Sequence, residues 1–338
     1  GFVMIALWVR DETSFDRFHK GNENIYQVIT DGTKYFVGGF DGSPGPLGAA
    51  CVEGIPEVTG SVKLGMMPKL AFRYGDNVFY EKSGMVVDAS FLDIFSFELA
   101  RGDAATALSS PSGILLTESM AERYFGSEDP VGKVMSSEGF EATVSGVLRD
   151  VPSNSTLQFD YVISFEFYRS LGGSDSYWSA YNYLTFLRLQ EGADTKSVAA
   201  LMTDIGRTNN SAQVSEDGCW YELHPFTGMH LSEHSHDRPF TRLGDRRLVI
   251  AFAIASLMIL VLACINFMNL STARAGQRAR EIGLRKVIGA DRAGIIRQFF
   301  GESLVFSVMA MIAAVLLIEL AMPWFKSMSG KELGIAYS

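Results

Sequence analysis

Two long apolar runs separated by a charged stretch dominate the pattern of hydrophobic and polar positions along this chain. Leu248 to Leu270 is 23 residues without a charge. At roughly 1.5 Å per residue, a helix of that length crosses a hydrocarbon core of about 30 Å. A soluble core helix is rarely apolar on every face for so long, so the pattern predicts a membrane span over residues 246–271. A second span is predicted over 299–325. Its charge-free interior runs from Ser303 to Ile318, and Glu302 and Glu319 extend it if their carboxylates face protein or reach the interface. Pro323, Trp324 and Phe325 close it in the manner of an interfacial anchor.

The first residues, Gly1 to Val9, are apolar as well. A short buried strand and a signal-peptide remnant are alternatives, but the latter lacks a basic leading region. The preferred reading makes residues 1–10 the end of a first spanning helix, with Arg10 to Lys20 continuing it above the membrane. Residues 326–338 would then start a further extracytoplasmic connection, and the sequence reads as a fragment.

Between Ile25 and Phe226 the pattern changes to short β-rich runs with turn punctuation. Residues 25–30, 71–75, 77–82, 84–88, 140–148, 181–190 and 219–226 are strand candidates by their β-branched and aromatic content. Helices are expected at 49–54, 89–94, 119–125 and 195–205. Strands interleaved with short helices over about 220 residues predict an α+β fold of one large domain or two subdomains. The overall architecture is an α+β extracytoplasmic domain, 22–240, inserted between transmembrane α-helices.

Charge fixes the topology. The connection between the two runs, 273–298, carries seven basic residues against two acidic ones, the mark of a cytoplasmic side. Residues 11–247 hold 19 Lys+Arg against 33 Asp+Glu, and therefore belong outside the cytoplasm. An acidic outer part beside a basic inner loop suits a membrane protein and excludes a nucleic-acid partner.

Two stretches resemble known families. Gly113 to Met135, GILLTESMAERYFGSEDPVGKVM, reads as a strand, a Thr/Glu helix start, a helix closed by Gly126 and a turn at Asp129-Pro130. It resembles the periplasmic core domain of MacB-type ABC transporter permeases, as does Val87 to Asp103. Asn266 to Leu304 resembles the FtsX-like permease domain through its EIGLRKVIGA core, Glu281 to Ala290. The resemblance, to the type VII ABC transporter family, covers nearly the whole chain and implies a permease subunit. In such a protein a short coupling helix takes force from a cytoplasmic ABC ATPase to the periplasmic domain. Here Arg280, Glu281, Ile282, Gly283, Leu284, Arg285 and Lys286 match that segment, with Gly289 and Ala290 as its closing turn. From the residues alone, these charges serve topology or coupling equally well.

The resemblance further implies a bacterial inner-membrane location, a dimeric or two-unit permease assembly, a place for a periplasmic adaptor, and export or lipoprotein or peptide handling. Its alternative is a signalling module of the cell-division type, which activates a wall hydrolase without transport. No G-x-x-x-x-G-K-[ST] motif is present, so ATP hydrolysis is expected in a separate subunit and the chain itself is expected to be no enzyme. No cofactor is implied, and no Ser-His-Asp, Cys-His or H-E-x-x-H arrangement appears. His224, His230, His234 and His236 crowd one segment, but their spacing fits no common zinc pattern and reads as a polar connector. Cys51 and Cys219 would both lie outside, where a disulfide can persist.

Overall fold

The structure is a computed structural model that describes residues 2–31, 39–209, 219–287 and 292–329. The chain divides into two compact units: Gly1–Thr13 with Arg246–Ser338, and Ser14–Asp245.

In the first unit, α1 (Phe2–Glu12) precedes the long insertion. The helix does not run on to Lys20. Thr13 donates through Oγ1 to the Val9 carbonyl at 2.9 Å, and Asp16 adopts a left-handed φ of 59° that no helix tolerates. Trp8 packs edge-on against Phe252, ring centroids 5.1 Å apart.

Strands and helices of the second unit follow in order: β1 (Ile25–Asp31), α2 (Leu47–Gly54), β2 (Val58–Met66), β3 (Leu70–Tyr74), β4 (Asn77–Glu81), β5 (Gly84–Val87), α3 (Phe91–Ile94), β6 (Leu99–Gly102) and β7 (Gly113–Thr117). Then come α4 (Glu118–Phe125), β8 (Val134–Ser137), β9 (Phe140–Leu148), β10 (Tyr161–Ser164), α5 (Phe165–Ser170), β11 (Leu184–Leu189), α6 (Thr195–Asn209) and β12 (Trp220–Pro225). The chain closes with α7 (Arg246–Val287) and α8 (Arg292–Ser329) of the first unit.

The strands form one twelve-stranded sheet in the order β12-β1-β11-β2-β5-β10-β7-β9-β8-β3-β4, with β6 also paired to β9. Its first four strands explain the rest. β1-α2-β2 and β11-α6-β12 are two crossover units whose strands interleave as β12-β1-β11-β2, all antiparallel. This is the split βαβ arrangement of ferredoxin-like folds. Residues 67–183 are inserted between its second and third strands and extend the sheet through β5, which pairs with β2. The expected alternatives, one domain or two lobes, therefore merge: two lobes share a sheet.

Each lobe has its own core. Val28, Leu47, Cys51, Val198, Met202 and Tyr221 pack between the ferredoxin-like strands and α2 and α6. Met120, Tyr124 and Phe125 of α4 plug the inserted lobe. Thr117 caps α4, accepting from Met120 N at 3.3 Å, and Gly126 ends it at φ 60°, the cap and stop that the sequence proposes. A third cluster, rich in Phe91, Phe95, Phe97, Phe159, Phe186 and Phe226, underlies both lobes. Burying each such ring contributes about 1.5–3 kcal/mol.

The membrane connectors and the coupling segment as candidate functional site

The predicted coupling residues Arg280 to Lys286 lie on a helix. The sequence suggests a loop with a short helix between the spans; instead α7 runs without a break for 42 residues, Arg246 to Val287. At roughly 1.5 Å per residue that is about 63 Å, twice a hydrocarbon core. The stretch meeting the length and composition of a span, Arg246–Leu270, is 11% buried, and the second, Leu304–Ala321, is 6% buried. Helices so apolar and so bare fit lipid rather than water.

Arg280 to Lys286 continue the same rod past the first span. The high helix propensity of its Ala, Arg, Glu, Leu and Lys residues favours this continuation over a loop. Gly283 is exposed, a Cβ added there would meet no atom beyond its own helix within 4 Å, and Leu284 is 68% exposed. Gly289 and Ala290 lie outside the described residues. Glu319 is exposed on α8.

At the other end, two connectors join the outer unit to its flanking helices, and sequence reasoning did not find what holds them. The first, just after Thr13, carries Phe15, Asp16 and His19. Phe15 stacks flat on His230, centroids 3.4 Å apart. Asp16 is fully buried. Its carboxylate accepts from Thr156 N at 2.7 Å and Ser155 Oγ at 3.4 Å, and also from Thr156 Oγ1. Burial pushes the Asp16 carboxyl up to about 6, against these stabilising bonds. His19 accepts from Ser96 N at 2.9 Å, among the rings of Phe18, Phe95, Phe97 and Phe226. Burial drives it down to about 3, so it stays neutral.

The second connector, 226–245, crosses both lobes. His230 Nδ1 donates to the Arg242 carbonyl at 2.8 Å, and Gly244 N donates to His230 O at 2.7 Å. Arg242 N reaches Thr156 O at 2.7 Å, on the segment that holds Asp16. Asp41, fully buried, accepts from His236 N at 3.0 Å, His236 Nδ1 at 3.1 Å and Arg238 Nη2 at 3.0 Å. Ser83 donates to Pro239 O at 3.0 Å and Gln158 N to Phe240 O at 2.8 Å. The two connectors are thus tied to each other through Phe15–His230 and Thr156, forming a collar. Two of the four clustered histidines, His230 and His236, have these jobs, while His224 meets Glu222 at 3.1 Å and packs edge-on with His234.

Between the lobes sits a buried ion cluster. Lys63 of β2 contacts Asp175 at 2.7 Å, Gly45 O at 3.3 Å and Asp88 at 3.7 Å, 4.1 Å above the Phe165 ring. Burial alone would raise the Asp175 carboxyl, but Lys63 and Arg169 hold it below the usual range. Cys51 and Cys219 are free buried thiols; burial pushes Cys51 up to about 12.

An acidic α+β unit, entered and left through chain segments that lead to membrane-type helices, defines a membrane-anchored protein with a large domain outside the bilayer. Two family models match and make the assignment specific: the MacB-like periplasmic core domain over residues 1–205 and the FtsX-like permease C-terminal domain over residues 253–338. The chain belongs to the MacB/FtsX family of ABC transporter permeases. It is 26% identical over 241 residues to the pyoverdine export ATP-binding/permease protein PvdT of Pseudomonas syringae pv. tomato, covering 68% of this chain and 34% of PvdT. It is 25% identical over 270 residues to the uncharacterized ABC transporter permease YknZ of Bacillus subtilis, covering 76% of this chain and 60% of YknZ. The chain thus spans about one to two thirds of these relatives. The crystal structure of a domain from a Porphyromonas gingivalis protein regarded as a permease superposes with a TM-score of 0.54 at 22% identity, over 69% of this chain and 98% of that one. That likeness concerns the fold.

Proposed function

We propose that this chain couples ATP hydrolysis by a separate cytoplasmic ABC ATPase to movement of its extracytoplasmic domain, from a bacterial inner membrane and in an assembly of two permease units. The observation that carries the reading is the unbroken helix from Arg246 to Val287. A regular helix transmits displacement along its axis, whereas a flexible loop would absorb it. Ile282 and Leu284 supply apolar contacts for a groove on the ATPase, and Arg280, Arg285 and Lys286 meet its acidic groups or lipid head groups. At the outer end, Asp245 leads straight into this helix. The collar then engages both lobes through Asp41, Thr156 and Gln158, which supports the domain responding as one body. Relatives named for export make export of a substrate handled outside the membrane core the preferred direction, with room for a periplasmic adaptor.

The test breaks the rod. Ala273→Pro interrupts α7 beyond the first span. In the complex with the partner ATPase, trapping ATP is expected to change amide exchange in the collar peptides of the wild type. The Ala273→Pro protein should bind the ATPase yet lose that change. An equal nucleotide response in the variant overturns the rod.

A further inference from the structure

The free edge of β4 is unlike the rest of the outer surface. Three consecutive large apolar residues, Val78, Phe79 and Tyr80, are 41%, 39% and 70% exposed. Alternation should hide every second residue of a strand, and an exposed run of this kind marks a partner or a liability. β4 ends the strand order, and among the described residues nothing pairs with its outer side. The other terminal strand, β12, shows no such run.

The backbone phase of this edge follows from the hairpin. β3 and β4 join through Gly75-Asp76, with Gly75 at φ 57° and Tyr74 opposite Asn77. A two-residue loop makes its closing pair a hydrogen-bonded one. Phe72 and Phe79, two steps on, then bond each other as well. The N–H and C=O groups of Val78 and Tyr80 therefore point outward, two donors and two acceptors in a row.

This edge is self-complementary. Placed antiparallel to itself about Phe79, Val78 of one copy faces Tyr80 of the other, and their outward groups satisfy each other twice. The same register sets Asp76 against Lys82 on both sides, since each lies three residues from Phe79. Both are exposed, and neither makes an ion pair within its own chain among the described residues. The face carrying Phe79 is anchored by α4: Phe79 packs edge-on to Tyr124 at 5.2 Å, and Asn77 Nδ2 donates to Tyr124 O at 2.8 Å. A strand held this firmly offers a preformed edge, which lowers the ordering cost of association.

We propose that β4 is an interface between two copies of this chain, joining their inserted lobes through an antiparallel β4–β4 pair centred on Phe79. The inference rests on the two-unit assembly of the preceding reading, but its test needs no ATPase or substrate.

The experiment uses the full chain in membranes with Cys264→Ser, because Cys264 is exposed on α7 while Cys51 and Cys219 are buried. Facing residues of a non-hydrogen-bonded pair lie about 4.5 Å apart at Cα, within disulfide reach. Phe79→Cys should therefore shift most of the protein to twice its monomer mass under mild oxidation. Val52→Cys, exposed on α2, should not. Asp76→Lys in the Phe79→Cys background should reduce cross-linking severalfold, and adding Lys82→Asp should restore it. Both charges are on the surface, so folding is not at risk. Cross-linking of Phe79→Cys no greater than of Val52→Cys overturns the interface. So does indifference to the charge reversal, which would leave random collision, or capture of a different partner by the edge.

Discussion

The Asp16 carboxylate accepts both the backbone N–H and the hydroxyl of Thr156, the N–H at 2.7 Å. These residues are 140 positions apart, and their contact fastens the entrance of the outer unit to the segment that also receives its exit. A carboxylate buried there costs free energy that its three donors only partly offset.

A pH dependence follows. The Asp16 carboxyl is raised to about 6 in the folded protein from an unfolded value near 4. The folded state therefore holds the extra proton between these values. The stability contributed by this group is full below about pH 4 and is lost as pH rises through about 6. Asp16→Asn removes that dependence. In detergent, thermal unfolding should show Asp16→Asn less stable than wild type at pH 5. The gap should narrow or reverse by pH 7.5, a swing of up to a few kcal/mol.

The ion cluster between the lobes gives a second expectation. Lys63→Met leaves buried Asp175 and half-buried Asp88 without their closest cation, and breaking a buried pair such as Lys63–Asp175 costs about 3–5 kcal/mol. Arg169, at 3.0 Å from Asp175, softens the loss. Denaturant unfolding of Lys63→Met should show a clear drop in midpoint, partly recovered by Asp175→Asn in the same chain.

Gly84 faces Tyr161 across β5 and β10, where an added Cβ would lie 2.1 Å from the tyrosine ring. Gly84→Ala should destabilise by about 1–3 kcal/mol through overpacking. Tyr161 Oη is buried with no hydrogen-bond partner among the described residues. Tyr161→Phe should therefore be neutral or stabilise by about 1 kcal/mol, read as a rise in melting temperature.

What the sequence made legible tracks how local each signal is. β1, β4 and β9 announce themselves by composition, and α4 by its Thr117 cap and Gly126 stop. β2 was missed because Gly60, Lys63 and Gly65 break the strand pattern. Lys63 is tolerable in a buried strand only because Asp175, 112 residues away, neutralises it. β10 and α5 run directly into one another at Ser164-Phe165, with no Gly or Pro between them to mark a boundary. The collar was invisible for the same reason as Lys63: Asp16, Asp41 and His230 find their partners only after folding. The two long apolar helices were legible because their hydrophobic residues are contiguous. The continuity of α7 was not, since the concentrated charge of 273–298 reads as a loop between two apolar runs.

The proposed coupling places its contact with the ATPase at the segment from Arg280 to Lys286. The most direct measurement is co-purification of the membrane-embedded chain with its partner ATPase, wild type against Glu281→Lys combined with Gly283→Trp. Loss of the ATPase from the double variant, with unchanged thermal unfolding of the membrane protein, is the predicted result. Equal recovery from both would contradict coupling at this segment and leave its charges the single task of setting topology.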